Sequence, residues 1–353
     1  MALLLHWGEL SIRPERVRID PTDDVGNKLR TFSWSFCAGD HFSAVYGPAE
    51  ATLNLRRPMT LLSLGLNVMN RVLVVGSATI DKIERSGTSA VKMGGVVTYA
   101  GITFQKHGLQ TAVLSNVAPQ DTGLFQILRR QDITLFNGVT EATTVFVNHI
   151  DGDTRWQEMP VHAKPIMADQ LRRSIQDFDH LHLGPLHPLD MEPELLGVAA
   201  RRGICITVDV QGYTRRVEKG RVHPAISENL HDVLLASTII KADRIELQAI
   251  LDAYQMGVDD LINAYTLSEV VVTAGREGGY VALASSDMIR YESPRVSHVV
   301  DPTGAGDVFF AAYLVSRLRE HRSVRAACKQ AAFIAARQVQ GRYIPEDCLK
   351  LEI

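Results

Sequence analysis

The chain has 353 residues, of which 46% are hydrophobic and 22% charged, ordinary usage for a globular protein with a sizeable core. A formal net charge of −3 excludes a basic nucleic-acid footprint. Four cysteines, Cys37, Cys205, Cys328 and Cys348, form no C-x-x-C pair, and a chain this long needs no disulfide staple, so reduced thiols in a cytoplasmic setting are expected.

Residues 1–68 stand apart. They carry no sustained helical or strand period, and Pro14, Pro21, Pro48 and Pro58 lie scattered among charges. Met1-Ala2-Leu3-Leu4-Leu5 lacks the basic flank of a signal peptide. The apolar stretch Met59 to Met69 is shorter than the ~20 residues a membrane span needs. The segment reads as a disordered extension, or as the product of a start codon set too early, with Met69 or Met59 as the true beginning.

At Arg71 the pattern changes. Val72-Leu73-Val74-Val75-Gly76 is the apolar run of a strand buried on both faces. Ile80 to Met93 is polar. Gly95 to His107 then reads as a helix, Ala112 to Val117 as a strand and Thr122 to Arg130 as a helix. Thr144 to Met159 reads as a hairpin turning at Asp151-Gly152-Asp153. Leu171 to Phe178 is helical, His180 to Leu183 a strand, Glu192 to Arg202 a helix and Cys205 to Val210 a strand. Val233 to Ala236 reads as a strand, Asp243 to Tyr254 as a helix and Val270 to Ala274 as a strand. Helices over Asp307–Glu320 and Val324–Gln338 close the chain. This alternation predicts a three-layer α/β fold over residues 69–353: a doubly wound, mostly parallel sheet with a small β lid from about 80–93 and 143–160.

The strongest chemical signal is Asp301-Pro302-Thr303-Gly304-Ala305-Gly306-Asp307, placed between Val299-Val300 and an amphipathic helix. Two glycines let the backbone turn into a helix N-terminus, where free N–H groups and the positive dipole end make an anion site. A carboxylate there can take a proton from an attacking hydroxyl while the N–H groups hold the charge of a transferring phosphoryl group. The plain alternative makes Asp307 a helix cap. Five fixed positions at roughly 6% each occur by chance in about one chain of this length in several thousand, which favours the chemical reading.

This segment resembles the C-terminal signature of the PfkB, or ribokinase-like, carbohydrate kinases, and the resemblance extends over about Val72 to Gly341. It implies that Asp307 is the catalytic base, that the backbone of Gly304, Ala305 and Gly306 forms the anion hole, and that Asp301 and Thr303 belong to the phosphate surroundings. Gly94-Gly95-Val96-Val97-Thr98-Tyr99-Ala100 is similar to the family's double-glycine signature, with Thr98 near the position where these kinases usually carry Asn. Gly94, Gly95, Thr98 and Asp81 are thereby substrate-binding candidates. Lys241-Ala242-Asp243-Arg244-Ile245-Glu246 resembles the N-x-x-E motif, with Asp243 in place of Asn. Asp243 and Glu246 are therefore metal candidates, and Lys241 a nucleotide-binding one. Thr273, Gly275 and Gly278 fall in a stretch similar to the T-x-G-x-x-G nucleotide segment, and Gln330 lies near the family's adenine position. Asp209-Val210-Gln211-Gly212-Tyr213-Thr214-Arg215 resembles a stretch of the inositol-kinase branch, which makes Gln211 and Arg215 substrate candidates.

The resemblance thus implies an ATP- and Mg²⁺-dependent kinase acting on a sugar, a polyol such as inositol, or a nucleoside, with a homodimer formed through the lid hairpin. A catalytically silent sugar-binding scaffold is the alternative from another class. The chain contains no P-loop motif, no protein-kinase signature and no H-E-x-x-H zinc motif.

Overall fold

The computed structural model describes residues 30–35, 41–46, 68–85, 88–151 and 154–351. The chain divides into two units, Met1–Met59 and Thr60–Ile353. In the first, β1 (Arg30–Ser35) and β2 (His41–Tyr46) pair antiparallel, with Phe32 opposite Ala44 and Trp34 opposite Phe42. That alternation of apolar positions is a period-2 signal missing from the sequence reading of this region. The remaining expectations for residues 1–67, and Cys37, lie outside the described residues.

The second unit begins its secondary structure with β3 (Arg71–Gly76), β4 (Thr79–Arg85), β5 (Thr88–Gly94) and α1 (Val96–Lys106). Then come β6 (Gln110–Ser115), α2 (Gly123–Arg129), β7 (Thr134–Asn137), β8 (Thr144–Asp151) and β9 (Thr154–Val161). The middle of the chain supplies α3 (Ala168–Ser174), β10 (His180–Gly184), α4 (Glu194–Arg201), β11 (Cys205–Asp209), β12 (Arg215–Glu218) and β13 (Arg221–Pro224). Next are α5 (Leu230–Ala236), β14 (Ile239–Asp243), α6 (Arg244–Tyr254), α7 (Val258–Tyr265), β15 (Glu269–Thr273), β16 (Gly279–Leu283) and β17 (Met288–Tyr291). Helices α8 (Ala305–Leu314), extended by one π-turn over Val315–Arg319, and α9 (Val324–Val339) complete it.

Nine strands form the main sheet in the order β17-β16-β15-β14-β11-β10-β3-β6-β7. The run from β15 to β7 is parallel, and β16 and β17 add an antiparallel edge. Val72 and Val74 point into a core shared with α1, α8 and α9. Leu73 and Val75 point into a second core with residues of α3 to α7. A strand apolar at every position is what two covered faces require, and the three expected layers follow from it.

The smaller sheet has the order β12-β13-β9-β8-β4-β5. Its β4/β5 and β8/β9 hairpins span the stretches in which the sequence suggested a lid. The β12–β13 hairpin is an addition. It turns at Lys219 (φ +51) and Gly220 (φ +83), the paired left-handed conformation that a two-residue hairpin uses.

One assignment is corrected. Val233 to Ala236 is helical, not a strand, and belongs to α5. Leu230, Val233 and Leu234 are buried while Leu235 is exposed, the i, i+3, i+4 pattern of one helix face. The strand comes next, at β14. Short apolar runs read equally well either way. Among the described residues, Cys205, Cys328 and Cys348 are free, and no helix is long and apolar enough to cross a membrane.

Candidate active site

The carboxyl ends of the parallel strands converge on one edge of the main sheet, the edge at which open α/β sheets bind ligands. Strand register does much of the assembly. Asp209, ending β11, lies opposite Lys241 in β14, and Asp243, ending β14, lies opposite Thr273, ending β15. Lys241 Nζ and Asp209 Oδ2 form a buried ion pair at 2.8 Å.

Residues 301–307 reach this edge from the helical layer. The N–H groups of Val300 and Asp301 both donate to the Val339 carbonyl. Asp301 Oδ1 accepts from the Thr303 N–H at 2.9 Å and its hydroxyl at 2.7 Å, while Oδ2 takes the ammonium of Lys92 from β5. Burial pushes the Asp301 carboxyl up, but Lys92 and Thr303 outweigh it and leave the group below its usual range. Gly304, at φ +74, is the N-cap of α8, and a Cβ there would fall 2.3 Å from the Tyr99 ring. Only glycine lets the helix start against that ring.

Asp307 is therefore not the cap. It sits in the first turn of α8, and no side chain caps that helix. The Ala305 N–H is taken by the Pro302 carbonyl, whereas the Gly306 and Asp307 N–H groups have no backbone acceptor among the described residues. Lys241 Nζ lies 3.3 Å from where a Gly306 Cβ would stand. Burial, then the nearby Asp209 and Asp81, push the Asp307 carboxyl up to about 7 against the pull of Lys241 and Arg215. Burial would lower the Lys241 ammonium, but Asp209, Glu246 and Asp307 hold it above its usual range. The Arg215 guanidinium is lowered by burial, against the opposing field of Glu246, Asp209, Asp243 and Asp307.

A cleft of about 690 Å³ opens over these groups. It gathers Asp81, Gly95, Gln211, Arg215, Lys241, Asp243, Glu246, Thr303, Gly304, Gly306 and Asp307 from the sequence-derived candidates. Phe146, Asn148, Trp156, Gln157, Arg221 and His223 complete its wall from the smaller sheet.

Several candidates lie elsewhere. Thr98 is fully buried and donates its hydroxyl to the carbonyl of Gly94, at the end of β5, at 2.6 Å, so it does not reach the cleft. The next residue, Tyr99, lines it instead. Gly94 lies under Asp81, where a Cβ would meet the carboxylate at 2.2 Å. Asp301 stands behind the cleft, bound to Lys92. Ala305 begins α8 outside the cleft lining. Thr273, Gly275 and Gly278 occupy the turn from β15 to β16, and Gln330 lies on α9; none of these four borders the cleft. Gly275, at φ +55, has open space around a built Cβ, while one at Gly278 would strike the Tyr291 carbonyl at 2.2 Å.

The Mg²⁺ candidates make a capping box. Asp243 Oδ1 accepts from the N–H groups of Ile245 and Glu246, each at 2.7 Å, and Glu246 Oε2 accepts from the Asp243 N–H at 2.7 Å. Each keeps a second carboxylate oxygen outside the box, and both residues line the cleft. Burial raises the Glu246 carboxyl, against Lys241. Among the described residues no group of three His, Cys, Asp or Glu side chains could enclose a metal. This donor set suits Mg²⁺ held mostly by phosphate and water, and does not suit an all-protein cage.

Sequence reasoning missed Lys92 and the β12–β13 wall. Nothing marks Lys92 in the sequence, since its partner is 209 residues away. The hairpin was detectable from Val217, Val222 and the Lys219-Gly220 turn.

The pfkB family carbohydrate kinase profile matches residues 69–345. No curated protein matches the chain. Among solved structures, a pyrophosphate-dependent kinase in the ribokinase family, in a sulfate complex, superposes with a TM-score of 0.68 at 22% identity, covering 76% of this chain and 95% of that one. A pyrophosphate-dependent kinase of the same family, complexed with a pyrophosphate analogue and myo-inositol, gives 0.67 at 21%, covering 76% and 94%. Arabidopsis thaliana ribokinase with ribose and ATP gives 0.60 at 17%, covering 80% and 96%. With the family profile spanning most of its length, the chain belongs to the pfkB family of carbohydrate kinases.

Proposed function

We propose that this protein transfers the γ-phosphoryl group of ATP to a hydroxyl of a neutral sugar or polyol, inositol foremost, with Asp307 as general base. The observation that carries the proposal is the setting of Asp307. Its carboxyl is pushed up to about 7, beside the Lys241 ammonium and the Gly306 and Asp307 N–H groups, which meet no backbone acceptor among the described residues. A base is most effective when its pKa lies near the working pH. Preorganised donors beside it stabilise charge as it develops on the phosphoryl oxygens.

In this mechanism Asp81 and the amides of Asn148, Gln157 and Gln211 hold the acceptor. Each amide donates and accepts, which suits neighbouring hydroxyls. Asp307 takes the proton of the attacking hydroxyl. The Gly306 and Asp307 N–H groups and Lys241 steady the transferring phosphoryl group. The second oxygens of Asp243 and Glu246 would hold Mg²⁺ through water, and the metal would neutralise phosphate charge. The smaller sheet, closing over the cleft, keeps out water that would otherwise accept the phosphoryl group. Thr273, Gly275 and Gly278 are assigned to the nucleotide, since Gly275 leaves open space beside the backbone.

A nucleoside acceptor is the second reading, supported by the rings of Tyr99, Phe146 and Trp156 in the cleft wall. Trp156 already stacks on His149 at 4.7 Å, which leaves less aromatic surface for a base. A phosphoryl-transfer assay over sugars, inositols and nucleosides, each with ATP and with pyrophosphate as donor, tests the proposal. Turnover of a sugar or polyol with ATP is expected. Turnover confined to nucleosides selects the second reading, and a binder that phosphorylates nothing would be the silent scaffold.

A further inference from the structure

We propose that Lys92 is a positioning residue for phosphoryl transfer: its ammonium fixes Asp301 and so sets the Thr303–Gly304 turn from which α8 starts. The inference rests on reading the cleft as a kinase site.

The side chain of Lys92 is 7% exposed and that of Asp301 17%, and the two form an ion pair. A lysine so deeply buried requires a partner, because an unpaired charge taken out of water is strongly disfavoured. The two partners come from a sheet and from a helix approach far apart in sequence. Lys92 lies in β5, the edge strand of the smaller sheet. Asp301 lies in the segment tied to α9 through the Val339 carbonyl.

Each partner is itself held in place. The chain end runs along β5: the Met93 N–H donates to the Leu349 carbonyl at 2.8 Å, and the Leu351 N–H to the Val91 carbonyl at 3.2 Å. Lys92 also bridges Lys350 in that short ladder. Asp301 gives its other oxygen to the Thr303 N–H and hydroxyl. With both oxygens engaged, the carboxylate fixes the Asp301–Thr303 turn, and Gly304 follows at φ +74 to cap α8. The N–H groups of Gly306 and Asp307 inherit that placement. Lys92 does not border the cleft. Its influence therefore passes through the turn, and its loss should slow transfer without weakening acceptor binding. A shift of about 1 Å in such a framework can cost on the order of 10²-fold in rate.

The test compares full-length wild type, Lys92→Met, Asp301→Asn and the double variant. Activity of the wild type on its acceptor is established first, so failure of the kinase reading shows there and not in the variants. Each protein is checked by its melting curve. Turnover is then measured, and a further variant, Lys92→Ala, is assayed with and without added methylammonium. The expected result is a fall of at least ~10-fold in kcat for each single variant with the acceptor KM within about twofold. The double variant should be no worse than the weaker single one, because both remove the same pair. Methylammonium, which can enter the space that the shorter side chain vacates, should restore part of the loss in Lys92→Ala and none in Asp301→Asn. If Lys92→Met does not fold, Asp301→Asn still carries the kcat and KM comparison. Wild-type kcat in either folded single variant overturns the proposal, as does additive loss in the double variant or loss in Lys92→Ala that methylammonium leaves untouched.

Discussion

Replacing Asp307 by asparagine keeps the shape of the side chain and removes only its ability to accept a proton. Because Asp307 caps nothing, the exchange breaks no helix-capping bond. Two effects of opposite sign follow. Loss of the base lowers kcat by about 10²- to 10⁴-fold, the usual contribution of one positioned base. Stability moves the other way. A carboxyl shifted from 3.8 to about 7 is costly to ionise in the folded state. In that window the folded protein binds more protons than the unfolded chain, so stability falls as pH rises from about 4 to 7. The shift of about three units corresponds to roughly 4 kcal/mol, and discounting for solvent at the cleft leaves ~1–2 kcal/mol. At pH 8 the asparagine variant should therefore melt a few degrees above the wild type while being nearly inactive. Melting curves at pH 5 and pH 8 with parallel kcat measurements provide the assay. Wild-type turnover in the variant would refute the base assignment. Activity lost together with a lowered melting temperature would mean that Asp307 acts through structure.

The same carboxyl should dominate the pH profile: kcat/KM is expected to fall about tenfold per pH unit below a limb near 7, and a limb near 4 would contradict the electrostatic picture. Glu246→Gln should raise the Mg²⁺ concentration for half-maximal rate several-fold, leaving the acceptor KM at saturating metal unchanged, because Glu246 acts on metal through water. An unshifted metal titration would return Asp243 and Glu246 to their role as a capping box. A chain beginning at Met69 should fold and keep full kcat, since it retains every cleft residue and the whole stretch matched by the family profile; an insoluble or inactive product would show that residues 1–68 support the domain.

What was legible in the sequence was contiguous. Val72 to Gly76 declares a strand covered on both faces because every position is apolar and a glycine ends it. Asp301 to Asp307 declares an anion site because turn, helix start and carboxylate occur within seven residues. What was hidden depends on pairing across distance. Lys92 meets Asp301 only when the edge of one sheet docks on the approach to a helix. The Asp209–Lys241 pair follows from the register of β11 on β14, and that strand was displaced onto Val233 to Ala236 by a four-residue apolar run. Thr98 misled for a simpler reason. Along α1 adjacent residues point about 100° apart, so Thr98 turns inward to bond Gly94 while Tyr99 meets the cleft.

The most direct test of the account is ³¹P NMR of wild-type protein incubated with ATP, Mg²⁺ and myo-inositol or a panel of neutral sugars, with Asp307→Asn as control. The account predicts a phosphomonoester signal growing in step with ADP in the wild type and absent from the variant. ADP accompanied only by inorganic phosphate, or a phosphomonoester formed equally by Asp307→Asn, would contradict it.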